Sequence, residues 1–333
     1  MPTLDTIRLP SITTAPYATD DPVLDLIGNT PMITYPGHER VLCKLESENP
    51  TRSLKDRIAL GILLEALGDA AFDHVVEASS GNTAGAVALV ANRLDLDCTL
   101  TCPATTSPSK VGYMRAFGAT VRRCPDVDAD HPDYYQAVAR RLADEQHAFL
   151  VDQYHNPLNP TVQYKWLGPE IWEQAGDHMT HLVGAMGTGG ALSGSGRYVQ
   201  EQAAAIGRDV TVVGVDAEQS NISTAFYDEV PVPYDTAVEG LGKGGKLPTM
   251  WFEYVDEVRS VTDERAFACA RDAAMSEGLL IGPSAGAALA VALDIARHNP
   301  TARVVTIICD GGEQYFDMLT QGAAGDSGSD PAG

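Results

Sequence analysis

Apolar and polar positions alternate along this chain in blocks of two kinds. Short runs of β-branched and aliphatic residues stand between longer stretches with the 3.6-residue period of an amphipathic helix. The strand-like runs are HVVEAS at 74–79, CTLTCP at 98–103, ATVRRC at 119–124, AFLVDQ at 148–153, THLVGAM at 180–186, VTVVGVDA at 210–217 and RVVTIICD at 303–310. A helical pattern follows the first run to about Arg93, another begins near Ser107, and a third covers about 133–146. EGLLIGPSAGAALAVAL at 277–293 reads as a strand-like piece, a Pro-Ser turn and an apolar helix. This βαβα alternation predicts an α/β fold built on parallel sheets with helices on both faces.

In such sheets ligands bind outside the carboxyl ends of the strands. The glycine-rich and hydroxyl-rich segments fall there: SSGNT after strand 74–79, GTGGALSG after strand 180–186 and DGGEQY after strand 303–310. GTGGALSGSG at 187–196 opens a helix, so bare backbone N–H groups and the helix dipole favour an anion, with phosphate the natural guest. The rival reading, a dinucleotide fingerprint, departs from the strict spacing, and no acidic residue ends a second strand at the usual distance. NPTRSLKDR at 49–57 places Lys55 in the first turn of a helix that Ser53 can cap. A helix dipole disfavours a cation there and pulls the amine toward its neutral form, which Schiff-base chemistry requires. GPSAG at 282–286 also fits a hydrolase nucleophile elbow, which predicts an acid and then a histidine downstream, but the only histidine after Ser284 is His298, in the RHNP turn.

Composition narrows the classes. With 23 basic and 45 acidic residues the net charge is −22, which repels nucleic-acid backbones and anionic membrane surfaces. Lysine is scarce. The excess carboxylate serves solubility, or equally adaptation to high salt. None of the six cysteines forms a CxxC pair and the histidines show no ligand spacing, so free thiols, a reducing cytosol and no metal are expected. A signal-peptide pattern and a bilayer-length apolar run are missing, which points to a soluble cytoplasmic protein. Residues 1–20, rich in Thr, Pro and Ser, are expected to form a flexible arm, and residues 322–333 a disordered tail.

Taken in order, the motifs resemble the fold-type II pyridoxal phosphate (PLP) enzymes, of the tryptophan synthase β-like type, and within them the cysteine synthase and cystathionine β-synthase family. The likeness runs from about Pro22 to about Asp317 through LIGNTPMI (26–33), KLESENPTRSLKDR (44–57), EASSGNTAGAVALVA (77–91), DQYHNPLNP (152–160), VGAMGTGGALSGSGRY (183–198), VEGLG (238–242), EGLLIGPSAGAALA (277–290) and DGGEQY (310–315). It implies two parallel-sheet α/β domains with the cofactor in the cleft between them. Residues 21–44 and 152–318 would form the large PLP-binding domain, and 45–151 a smaller mobile domain for the substrate carboxylate.

The resemblance also implies roles. Lys55 would carry the cofactor as an aldimine and act as catalytic base. Asn82 would bond the ring hydroxyl, Gly187, Thr188, Gly189 and Gly190 would cradle the phosphate, and Ser284 would face the pyridine nitrogen. Ser79, Ser80, Gly81 and Thr83, with Gln153, would clamp the substrate carboxylate, and Gly240 would line the cleft. A neutral serine at the ring nitrogen makes the ring a weak electron sink, which favours expulsion of a β-substituent through an aminoacrylate. The implied activity is β-replacement on serine or an O-activated serine by a sulfur nucleophile, in a homodimer. β-Elimination, a non-sulfur nucleophile and a catalytically silent binding module remain open. Three positions depart from the pattern: Arg52 stands where glycine is usual, Ala191 replaces a threonine and Ala84 a glycine. Arg52 adds a cation near the cofactor entrance that either contacts an acidic substrate or leaving group or is simply solvated.

Overall fold

The structure, a computed structural model, describes residues 19–320. The arm and tail expected at the two ends lie, Thr19 and Asp20 apart, outside the described residues. Among the described residues ten strands fall into two sheets. A four-stranded parallel sheet, in the order β5-β4-β3-β6, joins β3 (His74–Ala78), β4 (Asp97–Pro103), β5 (Thr120–Cys124) and β6 (Phe149–Leu150). A six-stranded sheet, in the order β1-β2-β10-β7-β8-β9, joins β1 (Met32–Thr34), β2 (Val41–Leu45), β7 (His181–Ala185), β8 (Thr211–Ala217), β9 (Glu257–Val261) and β10 (Val304–Ile308). Only β1 runs antiparallel, against β2.

Each sheet is covered on both faces, as buried β-branched strands demand. In the smaller domain α1 (Lys55–Asp69), α2 (Asn82–Arg93) and α3 (Pro108–Ala116) share one core with Val75 and Leu100. On the opposite face α4 (Tyr135–Gln146) packs Val138, Ala139 and Leu142 on Val76 and Ala78. In the larger domain α6 (Leu167–Ala175) and α7 (Gly190–Ala205) pack on one face with Leu182, Val212 and Ile307. The other face is covered by α9 (Asp263–Glu277) and α10 (Pro283–His298) over Val183, Val213 and Val304. Between the domains lies α5 (Leu158–Lys165). Gly61 of α1 brings Val162 of α5 so close that a Cβ would meet it at 2.4 Å, and Gly194 of α7 lies equally tight under the Pro160 carbonyl. Short α8 (Ile222–Phe226) and α11 (Phe316–Thr320) are the remaining α-helices among the described residues.

Several local expectations are corrected. The strand over 148–153 shrinks to Phe149–Leu150, because Val151 makes one more bond to Val76 before Asp152 turns the chain at φ 47°. The strand-like piece before Pro283 is only a bridge from Ile281 to Gly311, since Gly278 ends α9 in the left-handed region three residues earlier. Ser53 does not cap α1: Leu54 is the cap residue, and the Ser53 hydroxyl accepts only the Lys55 N–H at 3.2 Å. Strands β1, β2 and β9 were not anticipated. No helix among the described residues is long and apolar enough to cross a membrane.

The first turns of α1 are fixed by a buried ionic cluster. Arg57, 1% exposed, gives Nε to Glu46 Oε2 at 2.6 Å and Nη1 to Glu170 Oε1 at 2.7 Å, and Nη2 reaches both carboxylates. Lys44 joins from β2, bonding Glu170 Oε2 and the Thr30 carbonyl at 2.7 Å each. Burial opposes ionisation of Glu170, but Arg57 and then Lys44 hold its carboxyl down at about 2. Removing one member of such a cluster strands its partner's charge away from water, so Glu46→Ala is expected to cost about 3–5 kcal/mol. A urea denaturation series on the variant checks this, and a loss below about 1 kcal/mol would show that the cluster does not hold α1.

Candidate active site

Four helices begin at one place. Lys55 is the first residue of α1, Asn82 the first of α2, Gly190 the first of α7, and Ser284 the second of α10. Their amino ends surround a cleft of about 370 Å³ between the two sheets. The carbonyl dipoles of a helix leave its amino end positive, so the cleft is ringed by the positive ends of four helix dipoles. Of the thirteen residues expected there, twelve line it: Lys55, Ser79, Ser80, Gly81, Asn82, Thr83, Gln153, Gly187, Thr188, Gly189, Gly240 and Ser284. Gly190 stands behind the wall, against Asn159.

The glycines of the 187–190 loop are there because nothing larger fits. A Cβ on Gly187 would meet the Gly240 carbonyl oxygen at 2.2 Å, and one on Gly190 would meet Asn159 Oδ1 at the same distance. Gly189 has φ 75°, and its Cβ would meet Met250 Cγ at 2.3 Å. Thr249 ties the loop down through its hydroxyl, which donates to the Thr188 carbonyl at 2.7 Å. A bare backbone loop before the amino end of a sixteen-residue helix suits a phosphate ester. Across the cleft, burial pushes the Lys55 ammonium below the usual lysine range, with Cys309 and Asp310 opposing. An amine inclined to be neutral, facing an anion cradle, fits an aldehyde cofactor bearing a phosphate.

The carboxylate-type loop is built through Gln153. The Thr83 hydroxyl donates to Gln153 Oε1 at 2.6 Å, and Gln153 Nε2 donates to Glu77 Oε1 at 3.2 Å. Glu77 is 1% exposed and its Oε2 has no partner. Burial, then the nearby Asp152, pushes its carboxyl up to about 8, so the acid is largely protonated at neutral pH. Ser284, 3% exposed, has its hydroxyl 3.2 Å from Cys309 Sγ, and a Cβ on Gly240 would lie 3.8 Å from it.

Sequence reading missed Asp310 and Tyr315, although both lie in the DGGEQY segment. Asp310 Oδ2 accepts from Tyr315 Oη and from Asn82 Nδ2, each at 2.8 Å, while Gln314 Nε2 donates to Asn82 Oδ1 at 3.1 Å. The Asn82 amide thus spans from the smaller domain to the loop after β10, and bonding a ring hydroxyl would exchange one of these contacts. Burial raises the Asp310 carboxyl, with Tyr315 and Asn82 opposing. Also missed were Tyr154 and Lys243, which line the same cleft. Position 243 borders the glycines of VEGLG, in a chain with few lysines, and that was the available signal. Arg52 is not part of the cleft wall. Its guanidinium pairs with Glu48 at 3.1 Å and Glu313 at 2.9 Å, and its φ of 63° explains why glycine suits the position. No cluster of metal-ligand type occurs among the described residues.

Known proteins resemble this chain over most of its length. Residues 23–310 match the family described as pyridoxal-phosphate dependent enzyme. The chain is 34% identical to cysteine synthase B of Escherichia coli over 299 residues, covering 87% of this chain and 92% of that one. It is 32% identical to an O-acetylserine dependent cystathionine beta-synthase of Bacillus subtilis, covering 88% and 95%. The crystal structure of O-ureido-L-serine synthase superposes with a TM-score of 0.82 at 28% identity, covering 92% and 96%.

The protonated Glu77 has a consequence in solution. Its folded pKa of about 8 lies above the ordinary glutamate value of 4.5, so its contribution to stability is complete at low pH. It is lost progressively as the unfolded chain ionises between about pH 4.5 and pH 8. Glu77→Gln is expected to flatten that decline and raise the unfolding temperature at pH 8 by about 3 °C. Calorimetry at pH 5 and pH 8 on both proteins measures it, and parallel pH dependence would mean the carboxyl is not held protonated.

Proposed function

The chain belongs to the family of pyridoxal-phosphate dependent enzymes, and from that premise we propose that it replaces the β-substituent of serine or an O-activated serine with a sulfur nucleophile. The observation that carries this is the pairing of Lys55 with a neutral Ser284 in one cleft. The cofactor, when bound, supplies the electron sink for charge developing at the substrate Cα. A hydroxyl at the ring nitrogen leaves that sink weak, so departure of the group on Cβ competes well with reactions that need a lasting carbanion. The cleft does hold a carboxylate, Asp310, but Asn82 and Tyr315 engage it.

In this reading Lys55 takes the Cα proton and later returns it. The Cβ–O bond breaks with its electron pair leaving on oxygen, and the incoming sulfur supplies the pair for the new Cβ–S bond. Ser79, Ser80, Gly81 and Thr83 hold the substrate carboxylate with Gln153, whose amide is oriented by Glu77 and Thr83. Gly187 to Gly190 hold the cofactor phosphate, and Asn82 its ring hydroxyl. Residues 45–151 act as the smaller, mobile domain against a large domain of 21–44 and 152–318. One contact suits such closure: Lys110 on α3 pairs with Glu239 on the facing loop at 2.5 Å. A homodimer is part of the same proposal.

Likeness to O-ureido-L-serine synthase favours a second reading, in which the acceptor is not sulfur. Both readings are tested by one set of assays. The holoenzyme with O-acetylserine and sulfide is expected to give cysteine, and with homocysteine cystathionine. Lys55→Ala is expected to lose the visible absorbance of the bound cofactor and at least about 1000-fold in kcat. Pyruvate and ammonia as the only products with every acceptor would replace β-replacement by elimination.

A further inference from the structure

The chain has six lysines, Lys44, Lys55, Lys110, Lys165, Lys243 and Lys246. Two of them, Lys55 and Lys243, line the same cleft. Lys44 and Lys110 are paired with carboxylates. Lys243 is different: among the described residues its ammonium has no carboxylate and no hydrogen-bond acceptor, and its contact is the Tyr154 ring, 4.9 Å to the centroid. Its backbone is fixed from three directions. Lys243 N donates to Ser220 Oγ at 2.9 Å, and its carbonyl accepts from Ser220 Oγ at 3.0 Å and from Asn221 N at 2.8 Å. One residue earlier Gly242 has φ 77° and donates its N–H to the Met186 carbonyl at 2.8 Å, which locks the loop to the end of β7. The lysine is therefore aimed by its loop rather than drawn in by a partner.

Such an arrangement is unfavourable as it stands. Burial, then the charge of Lys55, pushes the Lys243 ammonium below the usual lysine range. A cation held unpaired in a polar cleft gains when an anion arrives, because the desolvation already suffered is then offset. The cofactor phosphate has its own cradle in the glycine loop and the amino end of α7. Tyr154, which carries Lys243, directly follows Gln153 of the carboxylate-binding loop. The lysine therefore stands beside the loop assigned to the α-carboxylate as well as lining the cleft with Lys55.

We propose that Lys243 selects a donor whose β-substituent is itself anionic, a phosphate ester in the first instance. This rests on the β-replacement reading and names the donor class for it. In O-phosphoserine the Cα proton passes to Lys55, the Cβ–O bond breaks, and its electron pair leaves with phosphate. Charge grows on the departing oxygen, so an ammonium nearby is worth more at the transition state than in the ground state. An acetate ester presents no such charge before the bond breaks.

The test compares kcat/KM of the holoenzyme for O-phosphoserine and O-acetylserine, with sulfide as acceptor. Lys243→Met is expected to lower the ratio of the two values about 100-fold, and Lys243→Arg to keep it within about tenfold of wild type. PLP retention is measured on the same samples by equilibrium dialysis. A loss of PLP with an unchanged donor ratio would place Lys243 on the cofactor phosphate and overturn the proposal, as would an equal fall for both donors. A wild-type enzyme that uses O-acetylserine and not O-phosphoserine overturns this inference alone. One that replaces the β-substituent of neither donor overturns the β-replacement reading, and this inference with it.

Discussion

The guanidinium of Arg57, gripped by Glu46 and Glu170, is the contact on which the cleft depends. It joins three separate pieces of chain: the turn Glu46–Glu48 after β2, the second residue past Lys55 on α1, and α6. Two carboxylates, a guanidinium and the Lys44 ammonium balance to zero. That balance lets four charges sit out of water where one could not. Hydrophobic packing alone could let α1 slide along its neighbours, since ridges of Leu and Ile tolerate small shifts. A bidentate ion pair does not. Its geometry fixes the rotation and depth of the helix whose first residue is Lys55, and so fixes where the reactive amine stands.

Around that fixed point the cleft is completed by contacts between domains. Asn82 of the smaller domain reaches Asp310 and Gln314 of the larger one, and Lys110 reaches Glu239. The first is partly buried and the second lies nearer solvent. Side-chain contacts of this kind can be exchanged more readily than the packed interface of α1 with α5, where Gly61 lies against Val162. The two domains thus share a rigid floor at α1 and α5 and a rim of polar contacts.

Much of this was legible in the sequence, for identifiable reasons. Parallel strands buried on both faces leave continuous apolar runs, so β3, β4, β7, β8 and β10 stood out. The glycines at 187–190 were readable because a loop meeting backbone on one side and a helix start on the other has no room for a Cβ. The edge strands β1 and β9, and β2 beside β1, were not readable, because they are short and interrupted by polar residues such as Lys44 and Arg259. The smaller misses share one cause. Glu77, Asp310 and Lys243 look like ordinary polar residues in sequence, and only the packing around them removes their water. Arg52 shows the reverse: the sequence flagged an unusual residue, and the fold turned it outward onto Glu48 and Glu313.

The convergence of four helix amino ends carries one more consequence. In a chain of net charge −22, the attraction an anion meets in the cleft comes in large part from peptide groups. Peptide dipoles have no pKa. Acid or alkali can change Lys55, Lys243 and the surface carboxylates, yet the field of the amide ends stays as the backbone set it. Anion capture at the glycine loop is thereby uncoupled from the titration of the surrounding protein, and only unfolding the helices would switch it off.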